Sequence, residues 1–223
     1  MAGESFMAVS RPRVILSAAI SLDGKIATKE GDSALSSRRD KARFHRLRAK
    51  ADAILVGINT VRIDDPLLTV RHAKGQNPVR VVLDSSGSMP TKSKIIKTCH
   101  AIPTIIAVSK KAPKKNLARL AEYPLQIVVS GQTKIDIKRL LGILRKQNIR
   151  TILLEGGGTL NWEFIHKGLV DELVVTVAPR LVGGKNAVTL VEGDGFSKIA
   201  NCPKLKLQNI IRQKDEIVLR YYI

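Results

Sequence analysis

The sequence predicts an α/β protein: a central, mixed, mostly parallel sheet with helices on both faces, in one domain, closed by a C-terminal antiparallel hairpin. Three observations carry this. Short continuous apolar runs such as "RVILSAAIS", "DAILVG", "VRVVLD" and "TIIAVS" lack polar alternation, which marks strands buried on both faces of a parallel sheet. These runs alternate with segments of helical period, the order that builds layered α/β folds. The last stretch, "KLKLQNIIRQKDEIVLRYYI", reads as two strands turning near Lys214 and Asp215.

In chain order, residues 13–21 form a strand and "LDGK" supplies a turn. Residues 36–51 read as a helix with Ser36 or Ser37 as N-cap and Phe44, Leu47 and Ala51 on one face. Strands follow at 52–57, 79–84 and 104–109, then a helix at 113–123 with Pro113 near its start and Leu117 and Leu120 on one face. After a strand at 125–130, "DIKRLLGILRKQN" (136–148) carries Ile137, Leu140, Leu141 and Leu144 in an amphipathic pattern. Strand 151–155, the helix "TLNWEFIHKG" and strand 171–179 precede the hairpin. The first residues, "MAGESFMAVSRP", read as a disordered tail over 1–12, leaving 13–223 as one domain without repeat or linker.

The 223 residues are 44% hydrophobic and only 4% aromatic, a mix suited to a Val/Ile/Leu-rich sheet. No apolar run approaches the ~20 residues of a membrane span, and the N-terminus lacks a charged-then-apolar signal layout. Two distant cysteines, Cys99 and Cys202, have no metal-ligand spacing and fit a reducing, cytoplasmic setting. Lys and Arg number 38 against 19 Asp and Glu, a balance of +19 that attracts polyanions: nucleic acid, phosphorylated metabolites or a phosphate-rich cofactor. The basic residues are scattered, many on predicted helix faces, so the charge does not choose among these.

The stretch "LLEGGGTLN" places Glu155 and three glycines, Gly156, Gly157 and Gly158, between a buried strand and the helix opening at Thr159. A helix N-terminus offers free N–H groups and a positive dipole, and glycines let a pyrophosphate approach the backbone. It is neither a Gly-x-Gly-x-x-Gly fingerprint, since Asn161 holds the last position, nor a Lys-bearing phosphate loop. A tight strand–helix crossing is the structural alternative. Glu155 stands at a strand's carboxyl end, where α/β sheets bind ligands. "VGINTVRIDDPLLTVR" sets Thr60, Asp64, Asp65 and Arg71 beyond another strand, as turn caps or as partners for a ribose or amide. "LDSSGSMP" ends a strand in Asp84, Ser85 and Ser86, which suit a ribose or its 2′-phosphate. Asp23-Gly24 signals a turn.

Several chemistries are missing. There is no Gly-x-Ser-x-Gly elbow, and no His-x-Glu with Pro-Cys-x-x-Cys of a zinc deaminase. His45, His72, His100 and His166 show no zinc spacing and read as surface or packing residues, and Trp162 as core filling.

In this order, "SLDGKIAT", "GDSALSS", "LRAKADAILVGINTVRIDDPLLTVR", "NPVRVVLDS", "LLEGGGTLNWEFIHKGLVDEL" and "APRLVGGKNA" resemble the riboflavin-biosynthesis reductases, from about Arg13 to the C-terminus. That family comprises the C-terminal domain of bacterial bifunctional deaminase–reductases and stand-alone archaeal and fungal enzymes. The missing deaminase motif fits the stand-alone type. The resemblance implies a dihydrofolate-reductase-like fold, a homodimer, and NADPH, or in some members NADH, as hydride donor. It implies reduction of the ribosylamino side chain of 2,5-diamino-6-ribosylamino-4(3H)-pyrimidinone 5′-phosphate to the ribitylamino form, through ring opening to an imine. It assigns Ala19, Leu35, Thr60, Asp64, Ser85, Ser86, Gly156, Gly157, Gly158 and Thr159 to the cofactor. Ser33, Arg48, Leu68, Arg71 and Glu155 fall on the phosphorylated pyrimidine, with the arginines as 5′-phosphate clamps and Glu155 as the candidate for orienting or protonating the sugar. Leu35 replaces an aromatic of some bacterial members. Another pterin or pyrimidine reductase of the same fold, dihydrofolate reductase included, is the near alternative. A basic RNA-binding protein is the distant one, and four Phe and three Tyr without an aromatic–basic run argue against it.

Overall fold

The computed structural model describes residues 11–223. Its strands are β1 (Arg13–Ile20), β2 (Ala53–Gly57), β3 (Val79–Leu83), β4 (Thr104–Val108), β5 (Gln126–Val129), β6 (Thr151–Gly156), β7 (Glu172–Val177), β8 (Lys206–Gln213) and β9 (Glu216–Tyr222). They form one nine-stranded sheet in the order β5-β4-β3-β2-β6-β1-β7-β9-β8. Every pair from β5 through β7 is parallel; β9 runs antiparallel to β7, and β8 to β9. The mixed sheet and closing hairpin expected from the pattern are therefore present.

The helices are α1 (Arg38–Lys50), α2 (Ile58–Asp64), α3 (Lys94–Lys97), α4 (Lys114–Ala121), α5 (Ile137–Lys146) and α6 (Gly158–His166). Two cores flank the sheet. Ile137, Leu140, Leu141 and Leu144 of α5 and Phe164 of α6 pack with Leu16, Leu55 and Leu154 on one face. Val61 of α2, Ile95 and Ile96 of α3 and Leu120 of α4 pack with Ile54, Val82 and Leu153 on the other. α2 and α3 were not anticipated. α2 follows β2 through a single glycine, without a polar capping bond to announce it, and α3 is a single turn.

The sheet's winding locates the ligand edge. From β2 the chain proceeds outward to β5, then returns to insert β6 between β2 and β1 before adding β7. In open α/β sheets, ligands bind at the carboxyl ends of strands flanking such a reversal.

Helix α1 sets Leu47 and Ala51 of its expected face against the core around Ile54, Val82 and Leu153, and buries polar residues as well. Ser37 caps it, as expected, but its buried residues are Asp40, His45 and Arg48, while Phe44, Leu47 and Ala51 are only partly buried. Polar contacts dock this helix. Asp40, 1% exposed, accepts from the Ser36 and Thr176 hydroxyls, each at 2.7 Å, and from Arg43 Nε at 2.7 Å. Ser37 donates through its backbone N–H and Oγ to Glu216 of β9 at 2.9 and 2.6 Å. A 3.6-residue apolar count cannot find a face whose burial is satisfied by hydrogen bonds.

Arg80 on β3 is wholly buried. Its guanidinium donates to the hydroxyls of Thr98 and Thr104 and to the carbonyls of Ile95, Ile102 and Leu67. Burial pushes its pKa down to about 10, so it remains charged at neutral pH. It joins the 95–104 segment and the 65–71 loop to the sheet. At the N-terminus, residues 1–10 of the expected tail lie outside the described residues. Arg11, also assigned to that tail, is tied down by a bidentate pair with Asp171 at 2.7 and 2.8 Å.

Asp40→Ala strips α1 of its anchor on β7 and leaves Arg43 without its carboxylate. A loss on the order of 3 kcal/mol in unfolding free energy is expected, measured by urea denaturation against wild type.

Candidate functional site

At the carboxyl end of β6 the ladder to β2 slips: Leu55 pairs with Leu154, but Val56 pairs with Gly156. Glu155 is the extra residue of this β-bulge, and a bulge re-aims the side chain it carries. Its carboxylate meets Arg48 of α1 in a bidentate pair, Nε to Oε1 and Nη2 to Oε2, both at 2.7 Å. The two side chains are 9% and 8% exposed. The third guanidinium nitrogen of Arg48 donates to the Thr69 carbonyl at 2.9 Å. Every nitrogen of Arg48 is thus engaged within the protein.

Thr69 belongs to the loop after α2. Two positions there hold left-handed backbone, Asp65 at φ 40° and Leu68 at φ 52°. Leu68 is 1% exposed and non-glycine, a combination that costs about 1 kcal/mol or more and needs its surroundings to hold it. The resulting turn aims the Thr69 carbonyl at Arg48 and its hydroxyl at Arg71, whose Nη1 donates to Thr69 Oγ1 at 2.8 Å. Arg71 is exposed, and the rest of its guanidinium has no hydrogen-bond partner among the described residues. Desolvation, then the neighbouring Arg48, lowers the Arg71 pKa; Glu155 acts in the opposite direction.

His45 lies beneath this loop. Its Nδ1 accepts the Arg71 backbone N–H at 2.9 Å, and its ring meets His72 edge to face at 4.7 Å. Burial first, then Arg48, Arg71 and His72, pushes its pKa down to about 4, so the imidazole is neutral at physiological pH. Sequence reading set His45 aside as surface or packing. The signal available was its place three residues before Arg48, on the same helix face.

The three glycines have different duties. Gly156, at φ 45°, leaves no room for a side chain: a Cβ would fall 1.9 Å from Asn161 Oδ1. A Cβ on Gly158 would meet the Thr189 carbonyl at 2.5 Å and Glu192 Cγ at 2.6 Å. Both serve internal close packing. Gly157, at φ 106° and ψ 145°, is in a region open almost only to glycine, yet its Cβ would have just Thr60 Oγ1 nearby, at 3.4 Å. Gly157 is also the N-cap of α6, with no side-chain capping bond. An uncapped helix N-terminus with one glycine facing open space fits a dinucleotide phosphate.

Thr60 of α2 donates to the Gly156 carbonyl at 2.7 Å, joining α2 to this turn. Asp64 closes α2, and partial desolvation raises its carboxyl above the ordinary range. Thr159 is exposed in the first turn of α6. Ala19 lies near the carboxyl end of β1, paired with Thr176. Ser85 and Ser86 form the turn after β3, where Ser109 donates to the Ser85 carbonyl and Ser86 donates weakly to Asp84 at 3.4 Å. Ser33 is exposed in the β1–α1 connection. Leu35 lines a separate cavity of about 660 Å³ with Arg38, Arg39, Arg180 and Lys214, a lining without Arg48 or Glu155.

The loop that begins in "APRLVGGKNA" straps this edge. Asp23 accepts the Val182 and Gly183 N–H groups and the Ser21 hydroxyl, which hold its carboxyl well below the usual range. Asn161 donates to the Leu190 carbonyl at 2.8 Å, and a Cβ on Gly193 would strike the Trp162 ring at 2.2 Å. Among the described residues, Ser17 Oγ and Asn161 Oδ1 are buried without a partner. No group of metal-ligating side chains is assembled among them.

Fold and crevice together define an α/β protein whose ligand-facing edge lies at the carboxyl ends of parallel strands. The family model of the RibD C-terminal domain matches residues 12–219, and the chain belongs to that family. A relative from Methanothermobacter thermautotrophicus, named 2,5-diamino-6-ribosylamino-4(3H)-pyrimidinone 5′-phosphate reductase, is 43% identical over 216 residues, covering 96% of this chain and 99% of its own. RibD of Acinetobacter baumannii superposes with a TM-score of 0.81 at 29% identity, over 97% of this chain and 59% of its own. Dihydrofolate reductase from Enterococcus faecalis matches 94% of this chain and 95% of its own, with a TM-score of 0.51 and 11% identity. The fold is thus dihydrofolate-reductase-like, as the sequence motifs implied.

Substituting the glycines separates their roles. Gly156→Ala is expected to lower the thermal midpoint sharply, because a Cβ 1.9 Å from Asn161 Oδ1 forces Asn161 off its bond to the Leu190 carbonyl. Gly157→Ala is expected to cost about 1–3 kcal/mol in strain and to weaken dinucleotide binding, read by calorimetric titration.

Proposed function

We propose that this protein reduces the ribosylamino side chain of 2,5-diamino-6-ribosylamino-4(3H)-pyrimidinone 5′-phosphate to the ribitylamino form, a step of riboflavin biosynthesis, with NADPH as donor and NADH as the alternative. The observation that carries the reading is the Glu155–Arg48 pair on the β6 bulge, next to the uncapped start of α6 and the open guanidinium of Arg71. An acid able to orient a sugar, a cation able to take a phosphate and a turn able to take a dinucleotide share one strand end.

When bound, the nicotinamide supplies the hydride. Gly157, the first N–H groups of α6, Thr60 and Asp64 would hold the dinucleotide, with Ala19, Ser85, Ser86 and Thr159 completing its surroundings; Leu35, in its separate cavity, is left out of this set. Arg71 clamps the 5′-phosphate through donors not used within the protein. Arg48 is already committed at each nitrogen to Glu155 or the Thr69 carbonyl, so it acts behind Glu155, fixing the carboxylate as an acceptor for sugar hydroxyls. With both oxygens in a bidentate pair, Glu155 orients the opened sugar rather than protonating it. Ser33 and Leu68 bound the remaining substrate side, and the strap over 182–193 keeps water from the reacting carbon.

The exposed face of the C-terminal hairpin supports a homodimer. Leu207, Ile210, Ile211 and Ile217 are 48%, 56%, 47% and 43% exposed on β8 and β9, and β8 is the sheet edge. Such an apolar edge needs covering, and a second copy of the hairpin matches it in length and chemistry.

Oxidation of NADPH and NADH, followed with product identification, is expected with the ribosylaminopyrimidine phosphate and not with dihydrofolate; the reverse preference replaces this reading with a dihydrofolate reductase. Salt-steep RNA binding without nucleotide binding would instead favour the basic RNA-binding alternative. Glu155→Gln is expected to lower kcat/KM by about tenfold or more, and unchanged kinetics would remove Glu155 from the site. In sedimentation, a dimer that becomes monomeric in Ile210→Glu is expected; a monomeric wild type refutes the pairing.

A further inference from the structure

His45 and Arg71 meet across 26 residues of sequence, one on a rigid helix and the other in a loop. Loop residues in a crevice are mobile unless their backbone groups are bonded to something fixed. Here the backbone N–H of Arg71 is bonded, and its acceptor is an imidazole nitrogen rather than a carbonyl. An imidazole can accept only while that nitrogen carries no proton. His45 is 5% exposed and held on α1, the helix that also carries Arg48. One helix face thus addresses both ends of the loop's polar segment: Arg48 takes the Thr69 carbonyl, and His45 the Arg71 N–H two residues on.

We propose that His45 is a positioning residue for substrate binding: through Nδ1 it pins the Arg71 backbone, so that the unpaired part of the guanidinium is already aimed into the crevice when the anionic substrate arrives. This rests on the reading of Arg71 as the phosphate clamp. The imidazole touches neither substrate nor dinucleotide. Its effect is on the entropy of ordering Arg71, which belongs to binding rather than to the chemical step. His72 packs against the same ring edge to face at 4.7 Å.

Three variants and one measurement on the wild type test this. Amide exchange of Arg71 in the wild-type protein is expected to be slowed well below that of an open loop; exchange at the open-loop rate overturns the proposal without any mutant. His45→Phe keeps ring volume and removes the acceptor. It is expected to raise KM for the phosphorylated pyrimidine about tenfold, with kcat and KM for NADPH within about twofold, and to free the Arg71 amide. His45→Gln restores an acceptor oxygen and is expected to recover most of the loss. If both variants retain wild-type KM, or if both lose kcat and both KM values together, His45 is a packing residue only. Arg71→Gln separates the two layers. A wild-type KM in Arg71→Gln removes Arg71 as the clamp while a protected Arg71 amide leaves the loop contact standing. A raised KM there with none in His45→Phe defeats the positioning role alone.

Discussion

The bidentate pair between Arg48 and Glu155 constrains everything around it. A buried ion pair is tolerated only when the desolvation of both charges is offset by close geometry and by partners for the remaining donors. Glu155 reaches Arg48 because a bulge turns it out of register, and the spare nitrogen of Arg48 reaches the Thr69 carbonyl because Leu68 accepts left-handed backbone. Removing the bulge would part the two charges, and removing the turn would take the Thr69 carbonyl from Arg48. The distortions and the pair therefore explain one another.

The same pair dictates how α1 is docked. A helix presenting Asp40, His45 and Arg48 to the interior beside Leu47 and Ala51 needs specific bonds for its buried polar groups. Asp40 to Thr176 on β7, Ser37 to Glu216 on β9 and Arg48 to Glu155 on β6 provide them along the helix. Three strands thus fix one helix, and that helix fixes the loop that presents Arg71. Precision is passed from the sheet to a loop through polar contacts, which have direction, rather than through packing, which does not.

Most of the scaffold was legible along the chain. The buried strands announced themselves as continuous apolar runs, and α5 as a regular stripe, because both are held by burial, which local sequence records. The turn after β6 was visible as a glycine-rich junction between a buried strand and a helix start. Their division of labour was not: that Gly156 and Gly158 serve contacts with Asn161, Thr189 and Glu192 depends on residues arriving from elsewhere in the chain. The role of His45 was hidden for the same reason, since a lone histidine on a helix carries no mark of the loop it will meet.

By itself the sequence determined which segments are strands and helices, that the sheet is mixed and mostly parallel, and that Glu155 and its glycines stand at a strand end beside a helix start. Those features are local: each is written in the period, the capping residue or the backbone freedom of a few neighbouring positions. Only the tertiary structure decided that Arg48 pairs with Glu155 while Arg71 spends one donor on Thr69, that one glycine of three has only Thr60 beside it, and that a neutral histidine accepts the loop's Arg71 N–H. These depend on long-range pairing, where a single-residue slip in a ladder turns a side chain toward a different partner.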